Sequence, residues 1–440
     1  MIEPRPTPWN PDRRWADPLI ALLLLLSVLT TFEALRAQQK PRPESHRPGL
    51  QSRVMELQAA GMAITGRNRP MPPPKAAAPW DRAVQAILLA ETGSQAEGLR
   101  QAATTPEPFQ RAWRGVYGGE ELPSAKEIEA LREPLGAGYA FHRFQAALAE
   151  RQHQDPEPLR ARARSWALPR LAFLGLGGLT LLGLSLVGII STGLLLFKKD
   201  AIKPAGLAPC PMTWRAAALA FLGWFVALRF SGTVAALLFA FLPLPKVLAL
   251  PFAYSFHVWV GVRLLLRAEG TTLRQAWKRM TPGPTPRAIG WAAAFLGIAL
   301  VSVLLVGLLL QPLVRQAEPP QRELLDLIGG ITNPMAMLLL FATIAGLAPL
   351  FEEWLFRGTL LPWLGHLFSE RGVRGGWLLA VVFSGLMFGA MHLQPAALPG
   401  LCTLGMVLGW AFLRTGNLWT TVVMHACWNG GVFVMIRVLA

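Results

Sequence analysis

Long apolar runs, separated by short polar segments, dominate the pattern of this chain. Many of the runs are about 18–25 residues long, and a helix of that length crosses a hydrocarbon core about 30 Å thick. We therefore predict an all-α, polytopic membrane helix bundle with about nine spans. The predicted spans are residues 19–31, 171–197, 214–230 extending towards 242, 247–266, 288–310, 335–350 and beyond, 377–393, 398–413 and 418–438.

Residues 37–165 depart from this pattern, because proline, arginine, glutamine and glutamate are common there. Helical patterns at 79–92, 107–117 and 125–150 predict a small helical domain, and the proline run at 71–75 predicts an extended linker before it. Aromatic residues in the third pattern are expected to pack between these helices. The predicted domains are thus a signal anchor or first transmembrane helix at 1–36, an extramembrane region at 37–165 and a multi-spanning membrane domain at 166–440.

Composition supports the membrane class. The 440 residues are 52% hydrophobic and only 15% charged, which is too apolar for an ordinary soluble protein. The formal charge is +16, but the basic residues lie in loops and in the extramembrane region, without a basic patch interleaved with aromatics. Such loops attract anionic lipid headgroups, so membrane lipid is the predicted partner and nucleic acid is not. Three widely spaced cysteines form neither a disulfide framework nor a zinc pattern.

Two acids and one arginine interrupt the most apolar part of the chain. Glu353 and Arg357 are four residues apart, so they share a helix face and can form an ion pair. Such a pair allows a second acid to remain in an apolar setting. Glu352 is rotated about 100° from its neighbour on an α-helix, so it is free for chemistry. The alternative interpretation is an interfacial charge pair at a helix end.

Two further motifs follow in the same apolar half. Phe388 and His392 share one helix face, and His425 and Asn429 share another. An amide is costly against lipid because it has donors and an acceptor to satisfy. Paired neutral donors on one face suit the stabilisation of an oxyanion. Either motif alone is compatible with packing, but the three motifs together indicate a catalytic site.

The ordered set Glu352-Glu353-x-x-x-Arg357, Phe388-x-x-x-His392 and His425-x-x-x-Asn429 resembles the motifs of the CPBP family. This family comprises type II CAAX prenyl proteases and related bacteriocin-processing or immunity-type proteins, which are glutamic intramembrane endopeptidases. The resemblance covers residues 333–440, and it places a peptidase core at about 288–440. The N-terminal anchor and the extramembrane region have no counterpart in these motifs.

The resemblance implies a role for each motif residue. Glu352 would work with His392 to activate water, and His425 with Asn429 would hold the oxyanion. Supporting roles would fall to Glu353, Arg357 and Phe388. It also implies an integral protein of a bacterial inner membrane and a protein or peptide substrate with a hydrophobic or C-terminal tail, such as the sorting tails of the myxosortase branch or a leader peptide.

Alternatives exist for the chemistry. Glu352, His392 and His425 could supply one carboxylate and two imidazoles to Zn²⁺, but the sequence has no His-Glu-x-x-His helix. A metal-independent site without a cofactor is therefore favoured. Nucleophilic catalysis by Ser384 or Cys427 is disfavoured, because neither has a neighbouring base at triad-like spacing.

Alternatives also exist for the function and for the remaining histidines. His257 and His366 are interpreted as interfacial or packing residues. A non-proteolytic scaffold or immunity protein of the same fold is one alternative function. A proton-coupled transporter is another, because buried acids and histidines also build proton relays.

Overall fold

The computed structural model describes residues 9–38, 50–66, 78–197, 207, 212–242, 248–279, 285–314, 327–328, 331 and 333–439. All regular secondary structure in these ranges is helical, as predicted. The helices are α1 (Arg13–Gln38), α2 (Leu50–Thr65), α3 (Pro79–Glu91), α4 (Gln95–Ala102), α5 (Glu107–Tyr117), α6 (Ala125–Ala130), α7 (Arg132–Leu135), α8 (Tyr139–Arg151), α9 (Glu157–Leu196), α10 (Trp214–Phe241), α11 (Ala249–Glu269), α12 (Leu273–Arg279), α13 (Pro286–Val314), α14 (Pro334–Glu370), α15 (Gly376–Met391), α16 (Leu398–Thr415) and α17 (Leu418–Leu439).

Within the described residues, eight helices are long and apolar enough to cross a membrane: α1, α9, α10, α11, α13, α14, α16 and α17. The apolar α15 is shorter, with 16 residues. Large apolar side chains remain exposed on these helices, such as Phe241 at 83% and Leu309 at 76%. Lipid rather than water suits such surfaces. The predicted all-α polytopic bundle is therefore confirmed, and the protein is an integral membrane protein.

The chain divides into two compact units. One comprises residues 1–40, 180–321 and 330–434, and the other comprises 41–179, 322–329 and 435–440. Helix α9 contributes residues to both. The predicted domain boundaries at 36/37 and 165/166 stay a prediction, and the predicted linker at 71–75 lies outside the described residues.

The second unit contains a helical core built by α2 to α8 and the first part of α9. Phe109, Trp113, Phe141 and Phe144 are all at most 1% exposed in this core. This burial confirms that aromatic residues pack between these helices, and hydrophobic burial of such side chains is the main term that stabilises a small helical domain.

The third helical pattern of this region is not one helix. Where the sequence predicted a helix over 125–150, the structure has α6, α7 and α8. Gly136 has a φ of 68°, a conformation that glycine adopts without steric cost and that ends a helix. The periodic pattern continued through this break because the apolar positions of α8 follow those of α6 at helical spacing.

A polar cluster ties three helices of the second unit together. The Tyr117 hydroxyl donates to a Glu91 carboxylate oxygen at 2.9 Å, and Arg143 Nε donates to the other oxygen at 2.7 Å. Burial, followed by the Glu91 charge, holds the pKa of Tyr117 well above its usual value. Tyr117 therefore stays a hydrogen-bond donor at neutral pH.

In the first unit, α15 and α16 approach closely through glycines. A Cβ on Gly385 would lie 2.7 Å from the Met406 nitrogen, and a Cβ on Gly405 would lie 2.9 Å from the Gly385 Cα. Small residues let helix backbones come together in this way. The close approach brings the Gly405 carbonyl of α16 within reach of side chains on α14.

Helix α14 contains two π-helical turns, at Thr343–Leu347 and Trp354–Leu360. Each turn ends two residues before a proline, Pro349 or Pro362. Proline has no N–H and its ring crowds the preceding turn, so a widened turn relieves the clash without ending the helix. The two turns flank the segment that carries Glu352 and Glu353.

Candidate active site

The ion pair expected between Glu353 and Arg357 is present and fully buried. Arg357 Nη1 donates to Glu353 Oε1 at 2.8 Å, and both side chains are 0% exposed. Arg357 Nη2 donates to the Gly405 carbonyl at 2.7 Å. The guanidinium carbon also lies 4.7 Å from the centre of the Phe388 ring, which places the cation over an aromatic face. The arginine thus joins α14 to α15 and α16.

His425 extends this network to α17. Its Nδ1 lies 2.9 Å from Glu353 Oε1, so the ring N–H donates to a carboxylate that already accepts from Arg357. The imidazole is 2% exposed. Its Nε2 faces the other acid and lies 3.9 Å from Glu352 Oε2. The ring therefore stands between the two glutamates.

The Glu352 carboxylate has two unlike oxygens. Oε1 accepts a hydrogen bond from the Tyr254 hydroxyl at 2.7 Å. Oε2 has no hydrogen-bond partner among the described residues, although Glu352 is only 5% exposed. A buried charged oxygen without a partner is costly, and such atoms are concentrated at functional sites. This oxygen is the one that faces His425.

Phe388 and His392 stand beside these residues. The Phe388 ring is 0% exposed, and its centroid lies 5.1 Å from that of His392 and 5.5 Å from that of His425. His392 Nδ1 lies 2.8 Å from the Phe388 carbonyl, which fixes the imidazole at the end of α15. In the described part of the chain, no hydrogen bond joins His392 to Glu352.

Asn429 projects from α17 towards α14. Its Nδ2 donates to the Ile344 carbonyl at 3.0 Å, within the first π turn. An amide nitrogen carries two N–H groups, so this bond fixes the side chain and leaves a second donor. The structure therefore positions Asn429 through a backbone contact rather than through another motif residue.

Tyr254 was not predicted from the sequence. Its hydroxyl reaches Glu352 from α11, and its ring meets His257 edge-on at 4.4 Å between centroids. His257 was interpreted as interfacial or packing, and it is 2% exposed with Nδ1 3.1 Å from the Ala253 carbonyl. Two polar aromatic residues three positions apart share a helix face, and this spacing within an apolar run is the signal that could have identified them.

The structure also locates the residues of the alternative chemistries, which are a nucleophilic serine or cysteine and a bound metal. Ser384 is buried, and its hydroxyl donates to the Phe356 carbonyl at 3.4 Å; Cys427 is exposed. His366 lies near the Leu207 carbonyl at 3.2 Å and against Trp377, which fits its packing interpretation. Among the described residues, no three His, Cys, Asp or Glu side chains are grouped so as to hold a metal ion.

A bundle of apolar helices that encloses two glutamates, an arginine and a histidine defines a membrane protein with an acid–imidazole site. Residues 334–431, which run from the start of α14 into α17, match the family model of type II CAAX prenyl endopeptidases, Rce1-like. The membrane-embedded CAAX protease MroQ of Staphylococcus aureus (strain USA300) is 27% identical over 217 residues, which are 44% of this chain and 83% of that protein. No solved structure gives a significant match. These similarities support assignment of the chain to the CPBP family of CAAX proteases and, with it, a membrane endopeptidase in general.

Replacing Arg357 with methionine should strongly destabilise the protein. The Glu353 charge would remain buried without its strongest partner, and breaking a buried pair in this way costs about 3–5 kcal/mol. The measurement is thermal unfolding of the purified protein in detergent.

Arg111→Met is the matched control. Arg111 also pairs with a glutamate four residues earlier, Glu107 at 3.2 Å, but both side chains are more than 60% exposed. The control should unfold at the wild-type temperature, because exposed pairs contribute little. Equal unfolding temperatures for the two variants would contradict a structural role for the buried pair.

Proposed function

We propose that this protein is a glutamic-type intramembrane endopeptidase in which Glu352 is the general base. The observation that carries the proposal is the gap of 3.9 Å between His425 Nε2 and Glu352 Oε2, an oxygen with no hydrogen-bond partner in the part of the chain that the structure describes. One water oxygen at about 2.8 Å from each atom can bridge this gap. A water held in this way is aligned by the imidazole and deprotonated by the acid.

The reaction follows from this arrangement. The water oxygen attacks the carbonyl carbon of the scissile peptide while its proton passes to Glu352. The C–N bond of the tetrahedral intermediate then breaks, and the proton passes from Glu352 to the leaving amine. The products are a new carboxyl terminus and a new amino terminus. His392, held at the end of α15 beside Phe388, assists Glu352 in this proton transfer.

The contact with Glu353 determines how His425 can stabilise an oxyanion. Because Nδ1 donates to Glu353, the ring offers a second N–H at Nε2 only when it is doubly protonated. Glu353 is in turn paired with Arg357, so its charge is not left alone in the buried site. Glu353 and Arg357 thus support catalysis through His425.

Asn429 is the second proposed oxyanion donor. One of its N–H groups is bound to the Ile344 carbonyl, and the other is available to substrate. Donors fixed before the reaction stabilise a developing charge without reorganisation. The backbone contact supplies this fixation.

The proposed mechanism assigns no step to a metal. His425 Nδ1 is occupied by Glu353, and Glu352 Oε1 is occupied by Tyr254. These contacts hold one atom of each group in a hydrogen bond within the protein and direct the other atom towards the proposed water.

The proposed substrate is a membrane-associated peptide with a hydrophobic or C-terminal tail, such as a sorting tail or a leader. The proposed location is a bacterial inner membrane, and lipid is the other partner. The similar protein MroQ is itself described as membrane-embedded and bacterial, and a bacterial membrane makes prenylated tails an unsuitable substrate. A non-proteolytic scaffold and a proton-coupled transporter are the competing functions.

Glu352→Gln should abolish cleavage, because the amide cannot accept the proton of the attacking water. The measurement is proteomic comparison of C-terminal ends between strains that carry the wild-type protein and the variant. Termini present only with the wild-type protein identify both the substrate and its cleavage site.

Glu370→Gln is the control, since Glu370 is an exposed acid at the end of the same helix. It should preserve every wild-type terminus. A scaffold would tolerate both substitutions, and a strain with Glu352→Gln that retained all processed termini would therefore refute the peptidase mechanism.

Asn429→Ala should lower kcat by about 10²- to 10³-fold, the usual effect of deleting one oxyanion donor. The measurement is steady-state cleavage of the identified substrate, with thermal unfolding followed in parallel because the Ile344 contact is lost as well. Near-normal kcat in a folded variant would remove Asn429 from the site.

Cleavage should persist in the presence of strong chelators such as EDTA and 1,10-phenanthroline. Elemental analysis of the active, chelated protein should find no stoichiometric transition metal. Loss of activity that Zn²⁺ restores would favour the alternative in which Glu352, His392 and His425 bind a metal.

A further inference from the structure

Helix α11 contributes a side chain to the site, although it lies outside the residues that match the family model. The Tyr254 hydroxyl donates to Glu352 Oε1 at 2.7 Å across 98 positions of sequence. A hydroxyl on this apolar helix needs a partner within the protein, and a backbone carbonyl could have served. The hydroxyl instead bonds the acid that the proposed function makes the general base.

The approach of α11 to α14 is tightly fixed near this acid. A Cβ on Gly261 would lie 2.5 Å from the Phe351 ring and 2.7 Å from the Trp224 ring. Phe351 directly precedes Glu352. A side chain at position 261 would require these rings to move, so the glycine permits this packing, and the packing sets the distance from which α11 reaches the carboxylate.

The orientation of the tyrosine ring is fixed as well. His257 meets it edge-on at 4.4 Å, and the imidazole is itself anchored near the Ala253 carbonyl. Edge-to-face contacts restrict the rotation of an aromatic ring. The hydroxyl is thereby held at one oxygen of the carboxylate.

This contact makes the two oxygens of Glu352 inequivalent. A carboxylate can rotate about its terminal bond, and without a fixed partner its plane could turn so that neither oxygen is directed at the gap beside His425. With Oε1 bound to Tyr254, Oε2 is the oxygen that lies 3.9 Å from His425 Nε2. We propose that Tyr254 is a positioning residue that fixes the rotation of the Glu352 carboxylate, so that the oxygen not bound to Tyr254 stays directed at the gap beside His425 and accepts the proton of water. This inference rests on the proposed role of Glu352.

The alternative is that the hydroxyl only satisfies a buried acid. The chain contains a second pair of the same kind, in which Tyr117 donates to Glu91 at 2.9 Å in the other compact unit. Tyr117→Phe therefore removes the same chemical contact away from the site and serves as a matched control.

The test compares Tyr254→Phe, Tyr117→Phe and Glu352→Gln in the full-length protein in proteoliposomes. The probe is a synthetic peptide spanning a C-terminal segment whose removal depends on Glu352 in the proteomic comparison. Tyr254→Phe should lower kcat about 10- to 100-fold, the effect of losing one hydrogen bond to a charged group. Its KM should stay within about twofold of the wild-type value, because Tyr254 acts through Glu352 and not on the substrate.

Every other outcome would overturn this inference, the proposed function or both. An unchanged kcat for Tyr254→Phe, or a raised KM at unchanged kcat, would overturn the positioning role. Equal losses for Tyr254→Phe and Tyr117→Phe would also overturn it, since the effect would then be one of general stability. If no terminus depends on Glu352, the proposed function fails and this inference fails with it. If Glu352→Gln is inactive while Tyr254→Phe is normal, only this inference fails.

A second variant covers the case in which Tyr254→Phe does not fold. The chain has three tyrosines, so replacing Tyr117 and Tyr139 with phenylalanine leaves Tyr254 as the only site for biosynthetic 3-fluorotyrosine. Fluorination strengthens the hydroxyl as a donor and weakens Glu352 as a base, while the ring and the hydroxyl are retained. kcat should fall at least about twofold relative to the same protein without fluorine, and an unchanged kcat would overturn the proposal.

Discussion

The arrangement of α14, α16 and α17 around the candidate site depends on the Glu353 carboxylate. One of its oxygens accepts from Arg357 in the same helix and from His425 in α17, and the arginine continues to the Gly405 carbonyl in α16. Charge-assisted hydrogen bonds of this kind are strong where water is scarce. Because each member is buried, the network holds only if these helices keep one arrangement. Apolar packing alone would allow them to slide, so the polar chain supplies the register of the bundle.

The two adjacent glutamates of the site have different partners and different proposed roles. Glu353 accepts from Arg357 and His425 through one oxygen, whereas Glu352 is held by a neutral hydroxyl and directs its other oxygen at His425. The difference arises from helix geometry, since neighbouring residues point in different directions and meet different helices. His425 contacts one acid and faces the other. A structural role and a chemical role therefore coexist within two consecutive residues, linked by one imidazole.

Local sequence signals predicted much of this architecture. The length of the apolar runs predicted the helical bundle, because run length is a property of each single helix. The four-residue spacing of Glu353 and Arg357 predicted their ion pair, because both residues lie in the same helix. Tyr254 was missed, since its contact spans 98 residues and a single hydroxyl in an apolar run carries no charge to mark it. The break at Gly136 was missed because periodicity continued across it. The contact of Asn429 was also unpredictable, because it depends on a carbonyl in a π turn.

The π turns of α14 have a consequence for how this helix can change in evolution. A π turn is equivalent to one residue inserted into an α-helix. Deleting one residue from Thr343–Leu347 would return this turn to α-helical geometry and leave the helix on either side in its present orientation, so Glu352 and Glu353 would keep their directions. The Ile344 carbonyl, however, would lose the position from which it accepts the Asn429 amide. A one-residue gap in this turn is therefore expected to preserve the path of the helix and to remove the contact that fixes Asn429.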